Sequence, residues 1–397
     1  MSTGLDNLVA QPTFALVAGE ASGDLLGADL IRGLKKHYPQ ARFVGIGGKQ
    51  MQAEGLESWF AMEQLSVMGF FEVLKHLPSL LRLRKQLIHN LMALKPDVFI
   101  GIDAPDFNFY VERKLKQAGI KTVHYVGPSV WAWREKRLVK IKQSVDGVLV
   151  LFPFEPPIYE RYQIPVRFVG HPLANQVPEQ PNAPKARHEL GLPLDVKLTA
   201  LLPGSRMSEI DRMADVYIQA ARQLILMHPD MQFVIPCVHA RARARIEQAI
   251  AQYGSQLRIK LVDQQATRVM EACDQMIVTS GTATLQAALM RRPMVISIIV
   301  HPLSYWIMKR MALSKWIGLP NILAQADIVP ELIQDQATPE KLALSLGRLI
   351  LDRSRRETQL KAFDLQRRAL KQDSAELAAQ AVIEWGALNK VESIAAN

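Results

Sequence analysis

Two hydrophobic patterns alternate along the first half of the chain: short apolar runs and longer amphipathic stretches. The apolar runs, which predict buried strands, cover residues 14–19, 42–48, 97–103, 121–128 and 147–152. The stretches between them have helical periodicity, as in 25–38, 107–119 and 135–145. Continuous apolar strands separated by amphipathic helices are typical of a parallel sheet that helices cover on both faces.

This pattern stops at a linker and then starts again. Residues 169–186 combine several prolines with Asn and Gln, a composition typical of a connection between domains. Beyond the linker, further strands are predicted at 197–205, 232–238, 258–264, 275–281 and 293–300. We therefore predict an α/β protein of two doubly wound, Rossmann-like domains that face each other across a cleft. Ligands of such sheets bind beyond the carboxyl ends of the strands, so the cleft is the expected site.

Length and composition agree with this fold and suggest a compartment. The 397 residues suffice for two domains, and 49% of them are hydrophobic. Cys237 and Cys273 are too few for a disulfide scaffold and favour a reduced, cytoplasmic compartment. The start of the chain predicts no signal peptide. The longest apolar stretch, 293–308, is interrupted by polar residues and too short to span a bilayer, so we expect a soluble or peripheral protein.

The chain is basic, with a formal net charge of +10. A positive surface favours nucleic acid, anionic lipid or phosphorylated substrates as partners. The sequence has no zinc-finger spacing, no RNA-recognition aromatic motif and no recognisable helix-turn-helix pattern. We therefore expect no nucleic-acid partner, while lipid and phosphorylated substrates remain open.

A strand–glycine–helix junction at 201–210, "LLPGSRMSEI", predicts phosphate binding. The first turn of a helix leaves backbone N–H groups unsatisfied, and these groups attract anions. Ser205 adds a hydroxyl, and Arg206 adds a planar, permanently charged fork that suits phosphate. The alternative is a capped helix start with a surface arginine.

A similar junction at 278–288, "VTSGTATLQAA", is a second candidate for ligand contact. Ser280, Gly281 and Thr282 offer hydroxyls and backbone N–H groups at a helix start. Gln286 follows about one turn inside the predicted helix. A well-capped helix without a ligand is the alternative.

The loop "AGEASGDLLGA" (18–28) follows the first strand and contains Gly19 and Gly23. Glu20 and Asp24 would repel a phosphate at this helix start. The loop therefore fits the acceptor side of a cleft better than a phosphate site, although a simple N-cap is the alternative.

The stretch "GIDAPDFN" (101–108) places two carboxylates after an apolar strand. Pro105 cannot continue the strand, so Asp103 lies at the carboxyl edge of the sheet, where it can take a proton from a hydroxyl nucleophile. Asp106 is better interpreted as a turn or helix cap. Two aspartates alone are too few for a metal site.

Aromatic and imidazole side chains nearby are weaker candidates. Trp131 and Trp133 in "GPSVWAWREKR" (127–137) could hold sugar or acyl surface, or pack in the core. His124 and His171 are interpreted as structural or polar residues that line the cleft.

The segment 66–87 combines an apolar face with basic residues. An ordinary buried helix and a membrane-contacting patch with basic flanks are both consistent with it. The apolar residues of this patch are Val67, Met68, Phe70, Phe71, Leu74 and Leu77.

Six motifs together resemble the lipid-A-disaccharide synthases, glycosyltransferase family 19, over nearly the whole chain. In order along the chain they are "GEASGD", "VMGFFEVL", "KPDVFIGIDAPDFN", "PSVWAWR", "LLPGSR" and "SGTATL". The resemblance implies a two-domain GT-B fold and an inverting transfer of 2,3-diacylglucosamine from UDP to 2,3-diacylglucosamine 1-phosphate, lipid X. It also implies a β-1,6-linked product in lipid A biosynthesis, with no metal or other cofactor.

The resemblance further implies a division of labour between the domains. Residues 1–172 would bind the acceptor, 173–364 would bind the UDP-sugar, and helices from about 365 to 397 would return to the first domain. "SAELAAQAVIEWGAL" (374–388) would be the return segment. The enzyme would act in the cytoplasm, peripherally on the anionic inner membrane, and a homodimer stays open.

Residue roles follow from the matched motifs. Asp103 matches the proposed general base, and Arg206 matches an arginine that faces the UDP diphosphate. Glu20, which we also count as catalytic, and Ser22 match a loop that lines the cleft. Asn321 matches the asparagine of "LPNIL" and is expected to bind substrate.

Two positions depart from the family pattern. The family usually has glutamate where this chain has Gln286, at a position expected to face the ribose, and it often has serine at Gly127. The rival interpretations are a UDP-sugar 2-epimerase of the same architecture and a non-catalytic protein that binds lipid or nucleic acid.

Overall fold

The structure, a computed structural model, describes residues 11–65, 70–130, 137–311 and 314–388, with the backbone alone at 70–76, 303, 307 and 311. The chain divides into two compact units. The first unit comprises Met1–Pro172 and Gln372–Asn397, and the second comprises Leu173–Lys371. Each unit contains a parallel sheet.

The sheet of the first unit has seven described strands, all parallel. They are β1 (Thr13–Ala18), β2 (Arg42–Ile46), β3 (Leu56–Ser58), β4 (Val98–Ile102), β5 (Lys121–Tyr125), β6 (Gly147–Val150) and β7 (Val166–Phe168). The spatial order is β3-β2-β1-β4-β5-β6-β7. The direction of winding therefore reverses between β1 and β4.

Helices pack on both faces of this sheet. Before the linker they are α1 (Ala21–His37), α2 (Lys49–Ala53), α3 (Phe70–Leu94), α4 (Pro105–Gln117), α5 (Leu138–Lys142) and α6 (Pro156–Glu160). Successive side chains of a strand point to opposite faces. Phe14 and Leu16 of β1 accordingly pack in the core that includes α1, whereas Ala15 and Val17 pack with α3 and α4. Burial on both faces explains the continuous apolar runs in the sequence.

The second unit repeats the plan. Its strands are β8 (Leu198–Leu202), β9 (Gln232–Cys237), β10 (Ile259–Asp263), β11 (Gln275–Thr279), β12 (Met294–Ile298) and β13 (Glu331–Ile333). The order is β10-β9-β8-β11-β12-β13, so winding reverses between β8 and β11. Its helices are α7 (Pro172–Gln176), α8 (Ala183–Glu189), α9 (Met207–Met227), α10 (Ala240–Tyr253), α11 (Ala266–Ala272), α12 (Thr282–Leu289), α13 (Pro302–Met311), α14 (Leu319–Ala324), α15 (Pro339–Leu351) and α16 (Arg353–Leu370).

The chain then returns to the first unit through α17 (Ser374–Trp385), which packs on α1. Any side chain at Gly33 of α1 would collide with the carbonyl of Ala375, so the two helices approach closely at this point. His37 Nε2 lies 2.8 Å from Glu376 Oε1 and joins the ends of the same two helices.

The predicted fold, two doubly wound α/β domains with parallel sheets, is confirmed. Every predicted strand is present. Three strands were not predicted, namely β3, β7 and β13, and each has three residues at the edge of its sheet. Within the described parts of the chain, no helix is long and apolar enough to cross a bilayer.

Candidate active site

The predicted site residues gather where each sheet reverses its winding. In the first unit, β1 runs into Gly19 and Glu20, and the adjacent β4 runs into Asp103. In the second unit, β8 runs into the loop at 203–206, and the adjacent β11 runs into the loop at 280–282. Such reversal points open a crevice beyond the strand ends and are the usual ligand sites of these sheets.

Asp103 occupies a strained turn at the end of β4. Its φ is 51° and that of Ala104 is 40°, so two consecutive residues with side chains adopt the left-handed conformation. Each such residue costs on the order of 1–3 kcal/mol unless its surroundings enforce it. The enforcement comes from α4, because Asn108 donates its side-chain amide to the carbonyl of Asp103 at 2.9 Å. The turn aims the carboxylate back toward the loop that follows β1.

The Asp103 carboxylate is poorly satisfied. Its Oδ1 accepts a hydrogen bond from the backbone N–H of Gly19 at 3.0 Å. Its Oδ2 is buried and has no hydrogen-bond partner among the described residues. Burial, reinforced by the negative charge of Glu20, raises the pKa of Asp103 to about 7, although the Gly19 bond and the charge of His124 oppose the rise. A carboxyl group with this pKa can accept a proton near neutral pH.

Two glycines make room for this carboxylate. A Cβ at Gly23 would collide with Oδ2 of Asp103, and a Cβ at Gly19 would lie 3.2 Å from Oδ1 and 2.8 Å from the Cβ of Ala104. Glu20, the residue before α1, and Ser22, in its first turn, are exposed. Asp24 is instead buried and accepts hydrogen bonds from the N–H groups of three residues at the start of α2. Only the exposed members of this segment are therefore accessible to a ligand.

A cavity of about 310 Å³ opens beside Asp103. Gly127 and Arg137 contribute to its wall, and Arg137 forms an ion pair with the exposed Asp106. A side chain at Gly127 would meet the hydroxyl of the buried Tyr159, so serine at this position would require that tyrosine to move. Trp131 and Trp133 lie outside the described residues.

The two histidines are buried. His124 on β5 is fully buried and lies 2.7 Å from Glu112 of α4, a partner that the sequence analysis missed. Glu112 and His124 occur in separate elements, so only the packing of α4 on β5 reveals the pair. His171 is also buried, and desolvation lowers its pKa to about 4.

In the second unit, a carboxylate already occupies the predicted phosphate loop. Glu209 Oε2 accepts hydrogen bonds from the N–H groups of Ser205 at 2.9 Å and Arg206 at 3.3 Å. Its Oε1 accepts a bond from the Arg206 guanidinium at 3.2 Å. Gly204 has a φ of 130°, and a Cβ there would lie 2.5 Å from that of Glu209. The loop thus does bind an anionic group, here its own glutamate, and Arg206 remains largely exposed.

The second junction of this unit faces the same cavity. A space of about 350 Å³ is lined by Ser205, Arg206, Glu209, Ser280, Gly281, Thr282 and Gln286, among others. The structure therefore brings together all the predicted substrate-binding residues of the two junctions. The Gln286 amide donates to the Thr267 hydroxyl at 2.9 Å, which leaves its Oε1 to accept from a ligand. A Cβ at Gly281 would meet nothing within 4 Å, so this backbone is open to close approach.

Asn321 is not among the residues that line this cavity. It is 1% exposed, and its amide donates to the carbonyl of Val329 and to Glu331. Its oxygen accepts from the N–H groups of Ile328 and Val329. The side chain is thus occupied in holding the loop between α14 and β13, a role that the sequence analysis did not anticipate.

The apolar patch is described only in part. Val67 and Met68 lie outside the described residues, and Phe70, Phe71 and Leu74 lie in α3, where the backbone alone is described. Leu77 is exposed, as is Leu81 one turn later, whereas Leu83, Leu87 and Leu91 are buried in the core. Within the described side chains of α3, the contacts with the core therefore come from Leu83, Leu87 and Leu91.

Among the described residues, no group of three or more His, Cys, Asp or Glu side chains could hold a metal ion. The described residues thus present a partly buried carboxyl group with a raised pKa in the first unit and a cavity lined by hydroxyls and Arg206 in the second.

Comparison with known sequences identifies the family. The family model described as lipid-A-disaccharide synthetase matches residues 14–384. The lipid-A-disaccharide synthase of Hydrogenovibrio crunogenus is 61% identical over 373 residues, which cover 94% of this chain and 99% of that protein. The corresponding protein of Pseudomonas aeruginosa is 51% identical over 370 residues, which cover 93% of this chain and 97% of that protein.

Solved structures share the fold. A UDP-GlcNAc 2-epimerase from Neisseria meningitidis, bound to UDP-GlcNAc, matches with a TM-score of 0.60 at 13% identity and covers 95% of this chain and 99% of its own. A glycosyltransferase from Rickettsia africae matches with a TM-score of 0.57 at 14% identity, with 95% and 98% covered. At these identities the likeness concerns the fold alone, which is the two-domain GT-B architecture. The sequence relationship decides the rest: the chain belongs to the lipid-A-disaccharide synthetase family and is a glycosyltransferase of lipid A biosynthesis.

Proposed function

We propose that the enzyme transfers 2,3-diacylglucosamine from its UDP-activated form to lipid X, with inversion at the transferred sugar. The products are a β-1,6-linked disaccharide 1-phosphate and UDP. Family membership supports this substrate pair. The chemistry of the two sheet edges supports it independently, because one edge offers a base and the other an anion site.

The second unit would hold the donor. Its cavity combines the N–H groups of a helix start with Arg206 and the hydroxyls of Ser280 and Thr282. These groups suit a diphosphate and a ribose. An incoming diphosphate would displace the carboxylate of Glu209 from the N–H groups of Ser205 and Arg206.

The first unit would hold the acceptor, and Asp103 would be its general base. As the acceptor oxygen attacks the anomeric carbon, its proton passes to Asp103. The new carbon–oxygen bond forms opposite the breaking bond to the diphosphate, and UDP leaves with the electron pair. Negative charge grows on the leaving group, so Arg206 would act mainly on the transition state. Glu20 and Ser22 would contact the acceptor from the exposed start of α1.

The observation that carries this proposal is the state of the Asp103 carboxylate. It has a buried oxygen without a hydrogen-bond partner among the described residues, and burial raises its pKa to about 7. A base is most effective when its pKa lies near the working pH.

A two-substrate assay tests the proposal. The enzyme is supplied with UDP-2,3-diacylglucosamine, with and without lipid X, and UDP and disaccharide are measured. We expect both products in equal amounts, and only when lipid X is present. Conversion of the UDP-sugar to an epimer without lipid X would instead indicate an epimerase.

We further propose that the start of α3 touches the anionic inner membrane from the cytoplasmic side. Leu77 and Leu81 are exposed there, with the basic side chains of Arg82 and Lys85 nearby. Each buried CH₂ contributes about 0.8 kcal/mol, so a few large side chains suffice for reversible attachment.

Vesicle co-sedimentation tests the membrane proposal. Phe70, Phe71 and Leu74 are replaced together by serine, and binding to vesicles that contain anionic lipid should fall while circular dichroism is unchanged. The matched control replaces three exposed leucines of the second unit, Leu226, Leu351 and Leu365. Equal binding by both triple variants would contradict the proposal.

A further inference from the structure

The cavity beside Asp103 has one cationic side chain among its described lining residues. That side chain is Arg137, the residue before α5, and Asp103 is the one acidic side chain among the same residues. Ser129 adds a hydroxyl, and the rest of the described lining consists of prolines, valines and a glycine. A small and otherwise apolar wall thus combines a carboxyl group with a guanidinium that is always charged.

The ends of two adjacent strands shape this wall. Asp103 follows β4 and Val126 follows β5, and the N–H of Asp103 donates to the carbonyl of Tyr125 at 3.0 Å. Val126 has a φ of 76°, a left-handed conformation that is costly for a β-branched residue, and Asp103 has a φ of 51°. Strained residues cluster at binding and active sites. The strain at both strand ends therefore makes this cavity a candidate ligand site.

The ion pair of Arg137 does not explain its place in the cavity wall. Its guanidinium donates to Asp106, whose side chain is 89% exposed, whereas that of Arg137 is only 31% exposed. Pairs with such exposed partners contribute little, because water competes for both charges. Asp106 is not among the described lining residues. A guanidinium has five N–H donors, which is more than one carboxylate can engage, so Arg137 can bind a second anion inside the cavity.

We propose that Arg137 binds the phosphate group of the acceptor, a sugar phosphate monoester, while Asp103 takes the proton of the attacking hydroxyl. This inference rests on the proposed function, in which the acceptor is a sugar 1-phosphate. A phosphate monoester carries a charge of about −1.5 to −2 at neutral pH, and its oxygens match the planar guanidinium with paired hydrogen bonds. Arg137 would therefore select phosphorylated acceptors.

The size of the cavity suits this ligand. Its volume of about 310 Å³ lies at the small end of the range for ligand pockets. One sugar ring would lie against the prolines and valines, with its acyl chains outside. The phosphate would lie at Arg137 and the attacking hydroxyl at Asp103, so the two charged side chains together orient the ring.

Two acceptors that differ only in the phosphate test the proposal, namely lipid X and 2,3-diacylglucosamine. The ratio of their kcat/KM values is measured for the parent, Arg137→Gln and Arg137→Lys. We expect the parent to prefer lipid X by about 10–100-fold, the range for hydrogen bonds to a charged group. Arg137→Gln should lose most of this preference, and Arg137→Lys should keep part of it, since it keeps the charge without the fork. A purely structural defect would lower both values and leave the ratio unchanged.

Arg113→Gln is the matched control, because it removes the same charge from an exposed position of α4 that is not among the lining residues. Its preference should equal that of the parent. An unchanged ratio in Arg137→Gln would overturn the phosphate contact while the transfer reaction itself stands. A parent that makes no disaccharide from either acceptor would instead overturn the proposed function, and this inference with it.

Chemical modification of the parent enzyme covers the case in which the Arg137 variants do not fold. Phenylglyoxal reacts with accessible arginine side chains, and mass spectrometry of the peptide that contains Arg137 measures the extent of reaction. Saturating lipid X should protect Arg137 several-fold better than saturating 2,3-diacylglucosamine, whereas Arg113 should react equally with either present. Equal modification of Arg137 in the presence of the two acceptors would overturn the proposal.

Discussion

The two sheet edges differ in how their charged groups are satisfied. At the edge of the first unit, the Asp103 carboxylate accepts a hydrogen bond from Gly19 but has a buried oxygen without a partner among the described residues, and it lies on a turn with two left-handed residues. At the edge of the second unit, the donors of the 203–206 loop have hydrogen-bond partners. Glu209 accepts from the backbone N–H groups of Ser205 and Arg206 and from the Arg206 guanidinium. One edge is electrostatically costly without a substrate, and the other is stabilised by its own side chain.

This difference indicates what each edge contributes. A general base must be free to accept a proton when the acceptor hydroxyl binds. A carboxylate oxygen without a hydrogen-bond partner among the described residues, such as Oδ2 of Asp103, meets this requirement. The proposed anion site must instead remain folded while it is empty, and Glu209 satisfies the N–H groups of Ser205 and Arg206 in that state. The glycines follow the same division: Gly23 makes room for a protein carboxylate, while Gly281 leaves space open to a ligand.

The largest expected effect comes from Asp103→Asn. The change keeps the shape of the side chain and removes its basicity, so turnover should fall by about 10²–10⁴-fold. UDP binding should be unchanged, because the donor groups lie on the other sheet. Asp106→Asn is the control, since that exposed carboxylate only pairs with Arg137. Near-normal turnover of the Asp103 variant would show that Asp103 is not the general base.

Arg206→Ala is expected to have the next largest effect. Loss of one preorganised donor at a developing negative charge typically costs about 10²–10³ in kcat. Arg206→Lys keeps the charge but loses the planar fork, so it should be intermediate. Steady-state kinetics would measure kcat, and titration would measure UDP affinity, for both Arg206 variants. Arg212→Ala, on the same helix, is the control because, among the described residues, its side chain donates to the carbonyl of Ser208 and does not line the cavity. Parent-like values for both Arg206 variants would place the diphosphate elsewhere.

Gly23→Ala tests whether turnover depends on the position of the Asp103 carboxylate. Alanine has a higher helix propensity than glycine, so the change should not weaken α1 by itself. The added Cβ would, however, displace Oδ2 of Asp103. We expect kcat to fall about tenfold or more with the helix content intact, since small misplacements of reacting groups are costly. Gly27→Ala adds the same methyl to α1, but the nearest atoms to that methyl belong to the side chain of Met51. Equal kcat in the two variants would show that Asp103 tolerates displacement.

Gln286→Glu should have the smallest effect. A carboxylate accepts hydrogen bonds from both ribose hydroxyls and from Thr267, whereas the amide must donate through its nitrogen. Bonds to charged groups are worth about 1.5–3 kcal/mol, against about 0.5–1.5 for neutral ones. UDP should therefore bind several-fold more tightly, and a 2′-deoxy analogue should gain less. Calorimetry with both ligands decides this, and unchanged affinities would exclude a ribose contact here.

The sequence predicted both edges because hydrophobic runs locate strands, and doubly wound topology brings the ends of the central strands together. It therefore placed Asp103, Arg206 and Gly281 at the ends of central strands, as the structure shows. The short edge strands were missed because three residues with one neighbouring strand need little apolar character. Glu209 could have been recognised, since its position in the first helical turn is that of a capping-box glutamate.

Other features depend on tertiary packing that no local pattern encodes. The Glu112–His124 pair requires the packing of α4 on β5, and the burial of Asn321 requires the loop that leads to β13. The left-handed φ of Asp103 also follows from contacts with Asn108 rather than from the residue itself. The four hydrogen bonds of the Asn321 side chain, to Ile328, Val329 and Glu331, were likewise not predicted from the motif.

The central claim is that burial holds Asp103 largely neutral until pH rises to about 7. The most direct test is the difference in unfolding free energy between the parent and Asp103→Asn as a function of pH. The folded-state pKa lies above the ordinary value of 3.8, so the folded parent binds more protons than the unfolded chain between these values. The parent should therefore lose stability relative to the Asn variant as pH rises from about 4 to about 7, by a few kcal/mol at about 1.4 kcal/mol per unit of pKa shift. A difference that is independent of pH, or that favours the parent as pH rises, would contradict the account.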